Sequence, residues 1–181
     1  PFVDEDSLQG MYLLSKHLLG LGHTRIGCIS GPPELNFSNQ RLEGIKSALV
    51  EVGLEYDPTL CLQGDMTQSG GYIIAEELLS LDQPPTAIIA CNDLMALGAM
   101  SAAHKLGFIV GQDISITGFD DIPMSEHSHP PLTTVNQPIY DIGEMVCEML
   151  IRLILGQELE QNQIILKPKL VVRQSTGENT L

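Results

Sequence analysis

The sequence predicts a doubly wound α/β fold, a parallel sheet with helices on both faces. Three observations predict it. Helical stripes and short aliphatic runs alternate along the chain. The aliphatic runs are apolar throughout, as strands covered on both faces are. Glycines, prolines or capping residues punctuate the joints.

The elements follow in order. Leu8, Met11, Tyr12, Ser15, Leu18 and Leu19 form a helical stripe that ends at Gly20 to Gly22. Arg25 to Ser30 reads as a buried strand, and Gly31-Pro-Pro33 as a turn. Ser38 is placed to cap a helix carrying Leu42, Ile45, Leu49 and Val52, stopped by Gly53. Leu60 to Leu62 is a short strand, Ser69 to Ser80 a helix, and Thr86 to Ala90 a strand. Asn92 caps a helix that ends near Gly107, and Ile114 to Thr117 is a strand closed by Gly118. A long loop spans Ser125 to Leu132, and Thr133 to Gln137 is extended. A further helix carries Ile139, Ile142, Met145, Val146, Met149, Leu150 and Leu153 on one face and stops at Gly156. Two short strands, Ile164 to Leu166 and Leu170 to Val172, flank Pro168, and the polar tail from Gln174 is expected to fray.

Composition narrows the function. The 181 residues carry a net charge of −14, with only nine Lys and Arg, and these are scattered. Nucleic-acid binding needs clustered basic side chains, so this polypeptide should repel DNA. No apolar run reaches transmembrane length, and no signal peptide is visible, although the chain starts at Pro1. Cys28, Cys61, Cys91 and Cys147 form no C-x-x-C motif, and the first three lie in apolar runs, where free thiols serve as small hydrophobes. Glu126, His127 and His129 have no recognised metal-ligand spacing. No phosphate-binding glycine loop and no recognisable nucleophile–base spacing occurs, so neither a cofactor nor catalysis is expected.

In open α/β sheets, ligands sit beyond the carboxyl ends of the strands. That rule selects the loops at Gly31 to Ser38, Gly64 to Ser69, Cys91 to Asp93 and Phe119 to Pro123. Arg41 lies one turn into a helix, where a cation opposes the macrodipole and needs a reason. Asn92 and Asp120 each follow a buried strand. A guanidinium, an amide and a carboxylate converging there could grip a polyol or a small polar ring. Each has a plainer reading: Asn92 as a helix cap, Asp120-Asp121 as a turn with diverging side chains, Arg41 as a partner of a surface carboxylate.

Six segments in order carry a resemblance. They are Gly22-His-x-Arg-Ile26, Ser38-x-x-Arg-Leu-x-Gly44, Pro85 to Ala99, Ile116 to Pro123, Pro130 to Pro138 and Leu170-Val-Val-Arg-Gln-Ser-Thr176. Together they resemble the lactose/galactose repressor (LacI/GalR) family over nearly the whole chain. The resemblance implies two periplasmic-binding-protein-like subdomains around a cleft that takes a sugar, nucleobase or other small effector. It also implies a homodimer and operator DNA bound through an N-terminal helix-turn-helix outside this chain; the lack of a visible signal peptide points to the cytoplasm. Arg41, Asn92 and Asp120 would hold the effector, and Gln137, at the crossing between subdomains, would reach the cleft. Met66 stands where many relatives place an aromatic ring, and Phe37 is larger than the small polar residue often found there.

The expected organisation is a C-terminal subdomain at 5–136 and 167–175, a returning segment of the other subdomain at 137–166, and a tail at 176–181. The helix carrying Leu94, Leu97 and Met100 is apolar almost all round. One face should cover the sheet and the other a twin subunit, with burial under the Ser125 to Leu132 loop as the alternative. The apolar face of the helix after Pro138 should pack against a second copy or fold back on its own subdomain. The competing function is a periplasmic sugar-binding protein of a transport system.

Overall fold

The computed structural model describes residues 1–180. The chain runs β1 (Phe2–Glu5), α1 (Ser7–Gly20), β2 (Ile26–Ser30), α2 (Asn36–Glu51), β3 (Cys61–Gln63), α3 (Gln68–Leu79), β4 (Ala87–Ala90), α4 (Asp93–Lys105) and β5 (Ser115–Thr117). It continues with α5 (Pro123–His127), β6 (Thr134–Asn136), α6 (Ile139–Ile154), β7 (Gln163–Leu166) and β8 (Lys169–Val171).

The central sheet has the order β3-β2-β4-β5, all parallel. Side chains alternate across it, as the pleat requires. Ile88, Ala90, Ile29 and Ile116 meet α3 and α4 on one face, where Ile74, Leu78, Met95 and Ala99 complete the core. Ala87, Ile89 and Cys28 meet α1 and α2 on the other, with Met11, Leu14, Leu18, Ile45 and Phe119. Helices on both faces explain why the strands read as unbroken apolar runs. Beyond β5 the chain returns alongside its exit: Gly118 N donates to Thr133 O and Asp120 N to Val135 O. β6 then pairs antiparallel with β8. A separate pair, β1 parallel to β7, supports α6.

Several sequence expectations change. Ser38 is not a cap: α2 begins at Asn36 with Leu35 before it, and Ser38 is buried inside the helix with its hydroxyl unpaired. The segment after Pro123 opens with the short α5 rather than as plain loop, since Asp93 takes the Ile122 N–H and the Ser125 hydroxyl and winds the turn. The tail does not fray as far as Thr180. Ser175 is fully buried, Ile116 N donates to Ser175 O, and Asn179 N reaches Leu21 O. Its polarity serves as backbone-bonding capacity along β5; Leu181 lies outside the described residues.

The all-round apolar character of α4 has a cause within the chain. α3 packs on it so closely that a Cβ on Gly98 would collide with the Gln68 carbonyl, and one on Gly71 with that of Met95. Leu97 and Met100 are already 8% and 6% exposed, and Leu94 is the open member at 38%. α6 rests on β1 and buries Met149, leaving Ile139, Val146, Leu150 and Leu153 exposed.

Candidate functional site

Of the residues singled out at the strand ends, Asp120 and Phe37 meet the buried guanidinium of Arg41 and Gln137 joins through Asp120, whereas Asn92 and Met66 bond to each other. Arg41, on α2, is only 3% exposed. Its Nη1 donates to the Cys91 carbonyl across 2.7 Å and lies 3.5 Å from Asp120 Oδ1. Nη2 faces Glu5 Oε1 at 3.4 Å, and Nε donates to Ser7 Oγ at 3.3 Å. The Phe119 ring lies beneath the guanidinium, 3.6 Å from Cζ to centroid, and Phe37 covers another side at 4.9 Å. A cation this deep is tolerable because it is paired and hydrogen-bonded. That answers the sequence puzzle: Arg41 pairs with the buried Glu5 and the half-buried Asp120, not with an exposed surface carboxylate.

Asp120 is the member of this pair that remains open, with 30% of its side chain accessible. Gln137 Nε2 donates to the same Oδ1 across 2.6 Å. Burial, reinforced by the charges of Asp93 and Glu5 and opposed by Arg41, pushes the Asp120 carboxyl up to about 7. For Glu5, burial pushes upward, but hydrogen bonds from Ser7 and Asp4 and the Arg41 charge outweigh it and hold the carboxyl below its usual value.

Asn92 plays two roles. Its carbonyl caps α4 by accepting from Met95 N at 2.9 Å. Its amide donates to Met66 O at 3.0 Å, tying the loop after β3 to the loop after β4. Met66 and Phe37 are half-buried against the α3–α4 core. Gly31 has no room for a Cβ, which would collide with Ser38 Oγ beside Met66 and Cys91, so the first loop closes tightly on the others.

The backbone here is strained. Among the described residues, three non-glycine residues have left-handed φ: Met66 at 67°, Asp120 at 120° and Asp121 at 58°. All three lie in the strand-end loops. Such conformations cost about 1–3 kcal/mol each and cluster where a ligand clamp needs them.

Asp120 and Asp121 do diverge. Asp121 turns away to Arg173 Nη2 at 2.7 Å and accepts from Asn136 Nδ2 at 3.0 Å. Arg173 also donates to the Leu132 carbonyl. Sequence reasoning missed these positioning groups, as it missed Glu5 and Asp93. Asp93 is fully buried and accepts from Ile122 N, Ser125 Oγ and Thr134 Oγ1 at 2.9, 2.7 and 2.5 Å. Beside the cluster opens a cavity of about 680 Å³, walled by Asp120, Asp121, Asn136, Gln137, Tyr140 and Lys167. Its carboxylates and amides suit hydroxyls and ring nitrogens.

A strand-end pocket on a doubly wound sheet, closed by a returning crossover, defines a small-molecule-binding module of the periplasmic-binding-protein type. Residues 15–176 match the family model described as periplasmic binding protein-like domain. The chain is 39% identical over 176 residues to the HTH-type transcriptional repressor CytR of Escherichia coli strain K12, covering 97% of this chain and 52% of that protein. It superposes on the transcriptional regulator CelR in its cellobiose complex with a TM-score of 0.91 and 36% identity, covering 96% of this chain and 53% of that one. A LacI family regulator from Enterococcus faecium, with bound ribose, gives 0.90 and 34% identity, with 98% and 66% covered. The chain spans about half the length of the curated relatives it matches.

The chain belongs to the periplasmic binding protein-like domain family, in the form that LacI-family transcriptional regulators use as their effector-binding, sensing region. The transport-protein alternative is not favoured, since the relatives are transcriptional regulators. They are not enzymes. No helix among the described residues is long and apolar enough to cross a membrane.

Proposed function

We propose that this chain senses a small polyhydroxylated or nucleobase-bearing effector for a repressor that acts in the cytoplasm. One observation carries the reading: Asp120, held at a left-handed φ at the end of β5, is gripped by Arg41 and Gln137 and still faces the cavity beside them. Asp120 and Gln137 take the effector's hydroxyls or ring nitrogens. Phe37 and Met66 cover its apolar face. Asn92 fixes the Met66 loop, and Arg41, already buried, orients Asp120 and offers its remaining N–H. Residues 137–166, with β1, serve as the returning part of a second subdomain, whose other elements cover the open face of α6.

Two copies associate along α4, with Leu94, Leu97 and Met100 at the contact. A helix-turn-helix outside this chain binds operator DNA. Effector binding shifts the subdomains and is coupled to DNA affinity, typically by about 1–3 kcal/mol.

The test is a thermal-shift screen of the protein expressed from its complete gene against mono- and disaccharides, nucleosides and nucleobases. A ligand of the right class raises the melting temperature with concentration. The rise should vanish in Asp120→Ala and shrink in Gln137→Ala. A ligand whose stabilisation survives both replacements would remove these residues from the effector site.

A further inference from the structure

On the opposite face of the sheet from α3 and α4, two cysteines stand side by side. Cys28 of β2 and Cys61 of β3 are direct partners in the parallel register. Both belong to the same core cluster, so their thiols share one face. Paired positions on adjacent strands lie about 4.8 Å apart. A disulfide tolerates Cα separations of about 4.4–6.8 Å but needs its Cβ atoms at about 3.5–4.5 Å. A small inward movement of β3 would close the bond. β3 can make it, because it is three residues long and forms the edge of the sheet.

The surroundings divide the labour. Cys28 is buried, whereas Cys61 is partly open to solvent. Tyr56 packs against the same core face as the two cysteines. Lys46 sits over the Tyr56 ring at 5.2 Å. Thiolates gain reactivity where donors and a cation surround them and solvent can enter. The effector cluster uses neither sulfur.

We propose that Cys28 and Cys61 form a peroxide-sensitive dithiol, with Cys61 as the attacking group and Cys28 as the resolving one. The Cys61 thiolate attacks an oxygen of a hydroperoxide. An S–O bond forms, the O–O bond breaks, and the leaving alkoxide takes up a proton, giving a sulfenic acid and an alcohol, or water when the oxidant is hydrogen peroxide. The Cys28 sulfur then attacks the sulfenic sulfur. An S–S bond forms, the S–O bond breaks, and hydroxide departs with the Cys28 proton as water. The two thiols lose two electrons, and the peroxide gains them. The strain in closing across paired strands keeps the disulfide readily reducible, as regulatory disulfides are. β3 leads directly into the loop that carries Met66, so the bond would pin one wall of the effector pocket.

The electrostatics of the pair supports the assignment: Cys28 first, then Tyr56, Ser30 and Lys46, opposed by burial, lower the Cys61 thiol to about 7, while Cys61 and full burial raise Cys28. The test treats the intact protein with hydrogen peroxide, blocks remaining thiols with iodoacetamide, and maps peptides after cleavage by trypsin and a glutamate-specific protease. The expected result is a Cys28–Cys61 cross-linked peptide, formed while the exposed Cys147 is still alkylated and reversed by dithiothreitol. Cys61→Ser should abolish it, and Cys28→Ser should leave a dimedone-reactive sulfenic acid on Cys61. In untreated protein at neutral pH, Cys61 should be alkylated before Cys28. Oxidation confined to Cys147, a cross-link only between chains, or conversion of Cys61 to sulfinic acid without a cross-link would overturn the proposal.

Discussion

Gln137 Nε2 donates to Asp120 Oδ1 across 2.6 Å, joining the chain beyond β6 to the loop after β5. That one oxygen also faces Arg41, so Asp120 is held from two sides while the rest of its carboxylate looks outward. Burial nevertheless raises its folded-state value from 3.8 to about 7. A carboxyl raised on folding binds a proton more tightly in the native state. Its contribution is therefore complete below about pH 4 and declines as pH rises through 7. The decline is on the order of 1–2 kcal/mol after allowance for partial exposure. Asp120→Asn, which stays neutral, should lose less stability than the wild type between pH 5 and pH 8. Urea unfolding at the two pH values measures the difference, and equal losses in both proteins would contradict it.

Asp93 has no such outlet. Its carboxylate is fully buried and collects three donors, two from the turn at α5 and one from β6. Asp93→Ala would leave the Ile122 N–H, the Ser125 hydroxyl and the Thr134 hydroxyl unpaired. The expected cost is about 3 kcal/mol, since each stranded buried donor costs about 1–3 kcal/mol and the hydroxyls can partly re-pair. A chemical-denaturation midpoint within error of the wild type would show that Asp93 does not organise this turn.

What the residues announced in advance was mostly periodic. The alternation of Ile88 and Ala90 with Ala87 and Ile89 over two covered faces follows from apolar runs bounded by helices. The site was half legible for a related reason. Arg41 stood out because a cation near a helix start contradicts the dipole, and Asn92 because it ends a strand and begins a helix. Glu5 gave no such signal, since its pairing with Arg41 spans thirty-six positions and depends on β1 lying beside α2. Ser38 gave a false one: it has the chemistry of a cap, but Asn36 and Phe37 had already entered the helix. The tail misled because polarity resembles disorder until a strand edge is known to need its hydrogen bonds.

The groove beside α4 has a volume of about 620 Å³ and is lined by Leu97, Met100, Met124, His127 and His129 among others. Met124 is 55% exposed and Leu94 38%. If two copies meet along α4, a charge at Leu94 on that helix or at Met124 in the groove would be desolvated against the partner. The double replacement Leu94→Glu and Met124→Glu should shift the protein from dimer to monomer in sedimentation velocity at micromolar concentration. Neither side chain is deeply buried within the chain, so far-ultraviolet circular dichroism should be unchanged. A dimer that persists at the same dissociation constant would move the contact elsewhere.

Ser175 holds the tail in place through its own hydroxyl. Its Oγ donates to Ile116 O at 2.6 Å and accepts from Thr133 N at 2.8 Å, while its backbone bonds Ile116 N and Pro131 O. One side chain thereby bridges β5 and the segment that returns toward Gln137. Ser175→Ala would leave the buried Thr133 N–H without a partner, and the expected loss is about 1–3 kcal/mol. Because Thr133 precedes β6 and Asp120 N donates to Val135 O, the loosening should reach the effector cluster. Hydrogen exchange should therefore accelerate at Thr133 and at Asp120 in Ser175→Ala, while the amide of Ile89 at the centre of the sheet keeps its protection. Uniform acceleration at all three amides would mean that the tail contributes only to global stability and does not specifically brace the pocket.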